Sequence, residues 1–123
     1  MKSYTNLEQS NKLAKILPLE TADMEYMFLK RDGSMVSIVP FIKDGCEESD
    51  CSYNFVHCWS LAALLDILPN KYGRGTKTLY WFDDAWHCDY MDVDGDTVYG
   101  VTTDSPIDAV YKMIVKLHEE KLL

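Results

Sequence analysis

The residues best equipped for chemistry are Cys58, His87 and Asp89. Cys58 leads into an apolar run of helical spacing, so its thiol is expected at or near a helix start, where the macrodipole favours thiolate. His87 and Asp89 stand two apart in a strand-like run and so share one strand face, His87 as a base and Asp89 as the group that orients it. Together they would make a small cysteine-dependent hydrolase. The cysteines also raise the question of a metal. Cys46-x4-Cys51-x5-His57-Cys58 and His87-Cys88 supply soft ligands, yet no two cysteines have the two-residue spacing of a zinc knuckle. His87 and Cys88, as strand neighbours, point to opposite faces. Satisfied core cysteines are the expectation, with no metal and no cofactor. The acidic run Asp92-Val93-Asp94-Gly95-Asp96 invites comparison with a calcium loop. Aligning Gly95 with that loop's glycine puts Tyr90 and Val101 at the first and last ligand positions, so a solvated hairpin turn is expected instead.

Charge is the next signal. Twenty acids face twelve lysines and arginines, and eight of the acids lie between Lys77 and Lys112, an interval with no basic residue. Outside it, twelve acids balance twelve bases. Such a field repels nucleic acid and anionic lipid, so direct binding to either is not expected. It suits a basic protein partner. Asp83, Asp84, Asp89, Asp92, Asp94 and Asp96 are the candidate binding residues, interleaved with Tyr80, Trp81, Trp86, Tyr90 and Tyr99. Solubility is the competing explanation, because turns and outward strand positions must carry something polar.

These residues are positioned by eight expected elements. Asn6 caps a first helix carrying Leu7, Leu13, Ile16 and Leu17, ended by Pro18. Leu19 to Asp23 is a connector with room for one helical turn. Glu25 to Lys30 and Met35 to Phe41 read as strands joined through Asp32-Gly33, with Pro40 at a strand end or on an edge. Lys43 to Tyr53 reads as a loop. Leu61, Leu64, Leu65 and Leu68 then fall at i, i+3, i+4 and i+7, predicting a central apolar helix covered on most sides and stopped by Pro69. Thr78 to Phe82, Ala85 to Met91 and Thr97 to Thr102 form a three-stranded meander turned at Asp83-Asp84 and Asp94-Gly95. Trp86, Cys88 and Tyr90 should face its core, with His87, Asp89 and Met91 outward. Ser105-Pro106 opens a last amphipathic helix with a cap and a first-turn proline. The order α-β-β-α-β-β-β-α describes one α+β domain over residues 1–123: a hairpin and a meander packed on the central and C-terminal helices.

The run Cys58–Pro69, the helix start Asp104-Ser105-Pro106-Ile107-Asp108-Ala109, the segment Glu20–Met24 and the Trp86-x-Cys88-x-Tyr90 strand resemble a group of small uncharacterised proteins of gut bacteria, often found in prophage or mobile-element contexts. The resemblance spans the chain from about Leu13 onward. It implies a compact cytosolic domain in phage-related accessory work, and brings no activity, cofactor or catalytic residue with it. Within that setting an acidic protein that imitates DNA is a further possibility. The papain-like layout also places a cysteine at a helix start and a histidine on a later strand. Asp50-Cys51-Ser52 echoes the cysteine motif of bacterial cell-wall amidases, but Tyr53-Asn54 replaces its glycine.

No signal peptide or membrane span is visible, so the cysteines are expected to be reduced in the cytosol. Gly73-Arg74-Gly75 is too brief for a phosphate loop. Two functions therefore stand at this point. One is a non-enzymatic module that recognises a basic partner through an acidic, aromatic-rich sheet. The other is a hydrolase using Cys58 and His87.

Overall fold

The computed structural model describes residues 3–40 and 52–123. Helix α1, Leu7–Leu13, starts at a reciprocal cap: Gln9 donates its amide to Asn6 Oδ1 at 2.7 Å, and the Asn6 amide donates to Gln9 Oε1 at 3.0 Å. A 3-10 turn, Leu19–Thr21, occupies the connector. Strands β1, Met24–Leu29, and β2, Met35–Pro40, form the expected hairpin, with Gly33 at φ 74° in its turn. Pro40 ends β2, which is an edge strand.

A strand not anticipated follows. β3, Tyr53–Cys58, pairs with β1 from Met24↔Cys58 to Leu29↔Tyr53, giving an antiparallel sheet of order β2-β1-β3. Cys58 is therefore a strand end rather than a helix start. Helix α2, Leu61–Ile67, begins three residues later, where the Ser60 hydroxyl accepts from the Ala63 amide at 3.1 Å. After the two-residue strand β4, Lys71–Tyr72, come β5, Gly75–Phe82, β6, Ala85–Met91, and β7, Thr97–Thr103. They make an antiparallel sheet in the order β4-β5-β6-β7, which contains the meander. Asp83 and Asp84 both take positive φ, 52° and 57°, the conformation of a two-residue type I′ turn. Helix α3, Pro106–Glu119, starts at the expected Ser105 cap. The chain is α+β, and the expected element order is present together with β3 and β4.

The core sits between α3 and one face of the four-stranded sheet. Ile107, Val110, Met113, Ile114 and Leu117 of α3 pack with Cys88 and Tyr90 of β6. α2 is less enclosed than its leucines suggest. Only Leu64 of its seven residues is buried, Leu61, Leu65 and Ile67 are half-buried, and Ala62 and Asp66 are exposed. A two-turn helix that packs one side on α3 leaves the other side to solvent. Trp59, just before it, is the larger anchor: it is fully buried, and its indole donates to Thr21 Oγ1 at 2.9 Å. Thr5 ties the N-terminal segment to the same point, donating its amide to the Trp59 carbonyl at 2.9 Å. Lys77, on the core side of β5, closes the end of α2 by donating from Nζ to the Leu65 and Leu68 carbonyls at 2.6 and 3.2 Å.

Candidate recognition surface

The outer face of the four-stranded sheet, opposite the Cys88 and Tyr90 side chains, carries Tyr80, Phe82, His87, Asp89 and Thr102. His87 and Asp89 do share this face, as their spacing requires. They are not partners. His87 Nε2 lies 3.0 Å from the Phe82 carbonyl, so this nitrogen is the donor, and Nδ1 meets the Thr102 hydroxyl at 3.1 Å. Its ring stacks on Tyr80 with centroids 4.9 Å apart. Both ring nitrogens are thus occupied by backbone and threonine. Asp89 instead accepts from the Tyr80 hydroxyl at 2.6 Å, and this bond is the main reason that the Tyr80 phenol is pushed up to about 12.

Asp89 is also not a surface acid. It is only 4% exposed, although its face was expected to be the wet one. The reason is local. Its cross-strand neighbour is Gly100, and the carboxylate lies across the space that a side chain there would fill, capped by Tyr80.

Cys58 belongs to the other sheet. It is fully buried, and its thiol is pushed up to about 12, first by burial and then by the carboxylates of Asp23 and Glu25. Those influences oppose thiolate formation. Among the described residues no hydrogen bond joins Cys58 to His87, so the cysteine–histidine pair of a hydrolase is not assembled. Cys88 is likewise buried in the core and pushed up to about 12, chiefly by burial. Cys46 and Cys51 lie outside the described residues. Among the described residues, no group of three or more histidines, cysteines and carboxylates is arranged to hold a metal ion.

The remaining candidate aspartates separate into two places. Asp92, Asp94 and Asp96 belong to the β6–β7 turn. Asp92 Oδ1 accepts from the Asp94 and Asp96 amides, both at 3.0 Å, and Oδ2 meets Arg74 Nε at 3.2 Å. Asp92 therefore organises its own turn. Asp83 and Asp84 stand at the other end of β6, roughly 25 Å away at the usual strand rise over the eight steps from Asp84 to Asp92. The acids do not form one continuous surface.

The β5–β6 end is different in kind. Trp81 is 52% and Phe82 66% exposed, directly before the two exposed aspartates. Trp81 packs edge-on against Trp86 at 5.7 Å, and Phe82 lies 6.3 Å from the His87 ring. A tight turn explains the arrangement: two residues at positive φ leave no loop to fold back over the strand ends, so the large side chains before them stay in solvent. Phe82, the Tyr80–Asp89 bond and the role of Gly100 escaped the sequence reading. The signal available for Phe82 was its place immediately before a two-residue turn.

A cleft of about 560 Å³ lies between the 3-10 turn and the exposed side of α2, lined by Glu20, Thr21, Asp23, Ala62, Asp66 and Ile67 among others. Its polar floor is already satisfied. Asp23 accepts from the Ser60 amide at 2.8 Å and from the Ser60 hydroxyl, while Thr21 accepts from Trp59. Among the described residues, no helix is long and apolar enough to cross a membrane. No protein-family model, curated protein or solved structure matches the chain.

Proposed function

We propose that the protein is a non-enzymatic recognition module that binds a basic protein partner through the tip of the β5–β6 hairpin. The observation that carries this reading is the exposure of Trp81 and Phe82 beside Asp83 and Asp84. Aromatic side chains that keep half or more of their surface in water gain from being covered by a partner, and the adjacent carboxylates favour a cationic one. The indole and phenyl faces add cation–π attraction for lysine or arginine. The setting that fits is cytosolic, and the accessory, phage-related role implied by the resemblance is compatible with a module of this size. Asp89 supports the hairpin in this reading and does not contact the partner, and Asp92 serves the β6–β7 turn at the far end of β6.

Affinity capture from the cell of origin tests the proposal, comparing the wild-type chain with Trp81→Ala/Phe82→Ala and with Asp94→Asn/Asp96→Asn. A partner recovered by the wild type, lost with the first variant, retained with the second and weakened by salt is expected. Equal recovery by the first variant overturns the reading.

A further inference from the structure

The β5–β6 tip has two faces, and its exposed aromatic side chains are divided between them. Trp81 and Phe82 are consecutive residues of one strand, so their side chains leave the backbone on opposite sides. Their contacts agree. Trp81 meets Trp86 on the face that carries Cys88 and Tyr90, whereas Phe82 lies beside His87 on the outer face. The neighbouring strands stop short of this end. β7 finishes at Thr103, level with Trp86, and β4 pairs only with Gly75 and Thr76. Beyond Trp86 the sheet is therefore two strands wide, and it closes in the turn at Asp83 and Asp84. Both aspartates are exposed, and neither carboxylate has a hydrogen-bond or ion-pair partner among the described residues.

This geometry constrains the shape of the partner. A flat surface laid against the hairpin covers one face and leaves the aromatic ring of the other in water. A flat surface met end-on touches the two aspartates and only the rims of the rings. Both rings are covered together when the partner has a wall on each side. We infer, building on the tip as the contact site, that the hairpin end enters a cleft in the partner protein. Its apolar walls take Trp81 on one side and Phe82 on the other, and lysine or arginine at its floor faces Asp83 and Asp84. An opening of roughly 10 Å admits one sheet layer with side chains on both faces. A second copy of the chain is a poor host, because its α2 cleft presents Glu20, Asp23 and Asp66 to the incoming aspartates.

Single substitutions separate a cleft from a one-faced contact. The probe is the soluble protein of the cell of origin at low salt, offered to the tagged chain and to variants shown to be folded by circular dichroism. Recovery of the wild-type partner is expected to fall about tenfold or more with Trp81→Ala alone, and equally with Phe82→Ala alone. Asp83→Asn/Asp84→Asn keeps the turn, because asparagine accepts positive φ, and should bind more weakly with most of the salt dependence gone. Hydroxyl-radical footprinting of the complex should protect Trp81 and Phe82 together, with the exposed Met35 of the other sheet unchanged. The cleft is overturned, and the tip reading stands, if Trp81→Ala/Phe82→Ala loses the partner while one single variant retains it in full with that ring unprotected in the wild type. Unchanged recovery by the asparagine pair overturns the cationic floor. A double alanine variant that recovers the partner like the wild type overturns the cleft and the tip reading together. So does a wild type that enriches only copies of itself or no protein at all.

Discussion

Replacing Gly100 by alanine examines the least expected feature of the sheet, an aspartate buried on its outer face. A Cβ at Gly100 would overlap Asp89 Oδ1 and lie 3.0 Å from Asp89 Cγ and 3.2 Å from Thr97 Cγ2. Asp89 is short and covered, so its carboxylate has one way out: it must swing away from Tyr80 and into water. The change then forfeits the 2.6 Å bond from the Tyr80 hydroxyl, and a hydrogen bond to a charged group contributes about 1.5–3 kcal/mol. Alanine offsets about 0.4–1 kcal/mol by restricting the unfolded chain. The net expectation is a destabilisation of about 1–2 kcal/mol, read in urea as a midpoint lowered by roughly 0.5–1 M at unchanged slope. The Tyr80 phenol, held at about 12 mainly by Asp89, should fall toward the ordinary tyrosine range, seen as the difference between ultraviolet titrations with and without Tyr80→Phe. In an Asp89→Ala background the same glycine substitution should cost much less, because only the Thr97 methyl at 3.2 Å is left to give way. A Gly100→Ala midpoint equal to or above that of the wild type would refute the reasoning.

Other consequences follow from the same contacts. Lys77→Met should cost about 1.5–3 kcal/mol in denaturant unfolding, because the Leu65 and Leu68 carbonyls at the end of α2 lose their charged donor. Native Cys58 and Cys88 should resist iodoacetamide between pH 7 and 9 and become labelled only at the rate of unfolding; rapid labelling of Cys58 at pH 7 would reopen the hydrolase reading. These thiols and Tyr26, Tyr80 and Tyr90 all bind their protons more tightly when folded, each pushed up to about 12. Their contribution to stability is therefore full below about pH 8.5–9, where even the unfolded thiols keep their protons, and is lost as pH rises toward 12. Stability measured from pH 7 to 11 should be flat and then fall, and a rise above pH 9 would contradict the burial. Phe82→Ala should change stability by no more than about 0.5 kcal/mol, since most of its side chain is in solvent, whereas Trp81→Ala should cost about 0.5–1.5 kcal/mol through its edge-on contact with Trp86.

Local chemistry was legible in the sequence wherever a few adjacent residues decide the backbone. The Asn6 cap, Ser105 with Pro106, and the turns at Asp32-Gly33, Asp83-Asp84 and Asp94-Gly95 all stand where residue type places them. β3 was missed although Tyr53, Phe55 and His57 alternate with Asn54 and Val56. Its partner β1 is some thirty residues away in sequence, and reading Cys58 as a helix start left no room for a strand. The leucine spacing of α2 was read correctly as helix, but spacing cannot say how many neighbours arrive to cover it. Asp89 shows the same limit. Alternation gives the face, whereas its burial depends on a glycine on the next strand and a tyrosine on the one before. The acids form a continuous stretch along the chain, but the hairpins carry them to opposite ends of β6, so proximity in sequence overstated their proximity in space.

The claim on which the functional account turns is that contact is made at the β5–β6 tip. Chemical-shift mapping of the labelled chain against the captured partner tests it most directly. The Trp81 indole and the amides of Trp81, Phe82, Asp83 and Asp84 should shift most, with the Asp92–Asp96 turn and the α2 cleft nearly unchanged. Shifts centred on Ala62, Ala63 and Asp66, with the tip silent, would contradict the account.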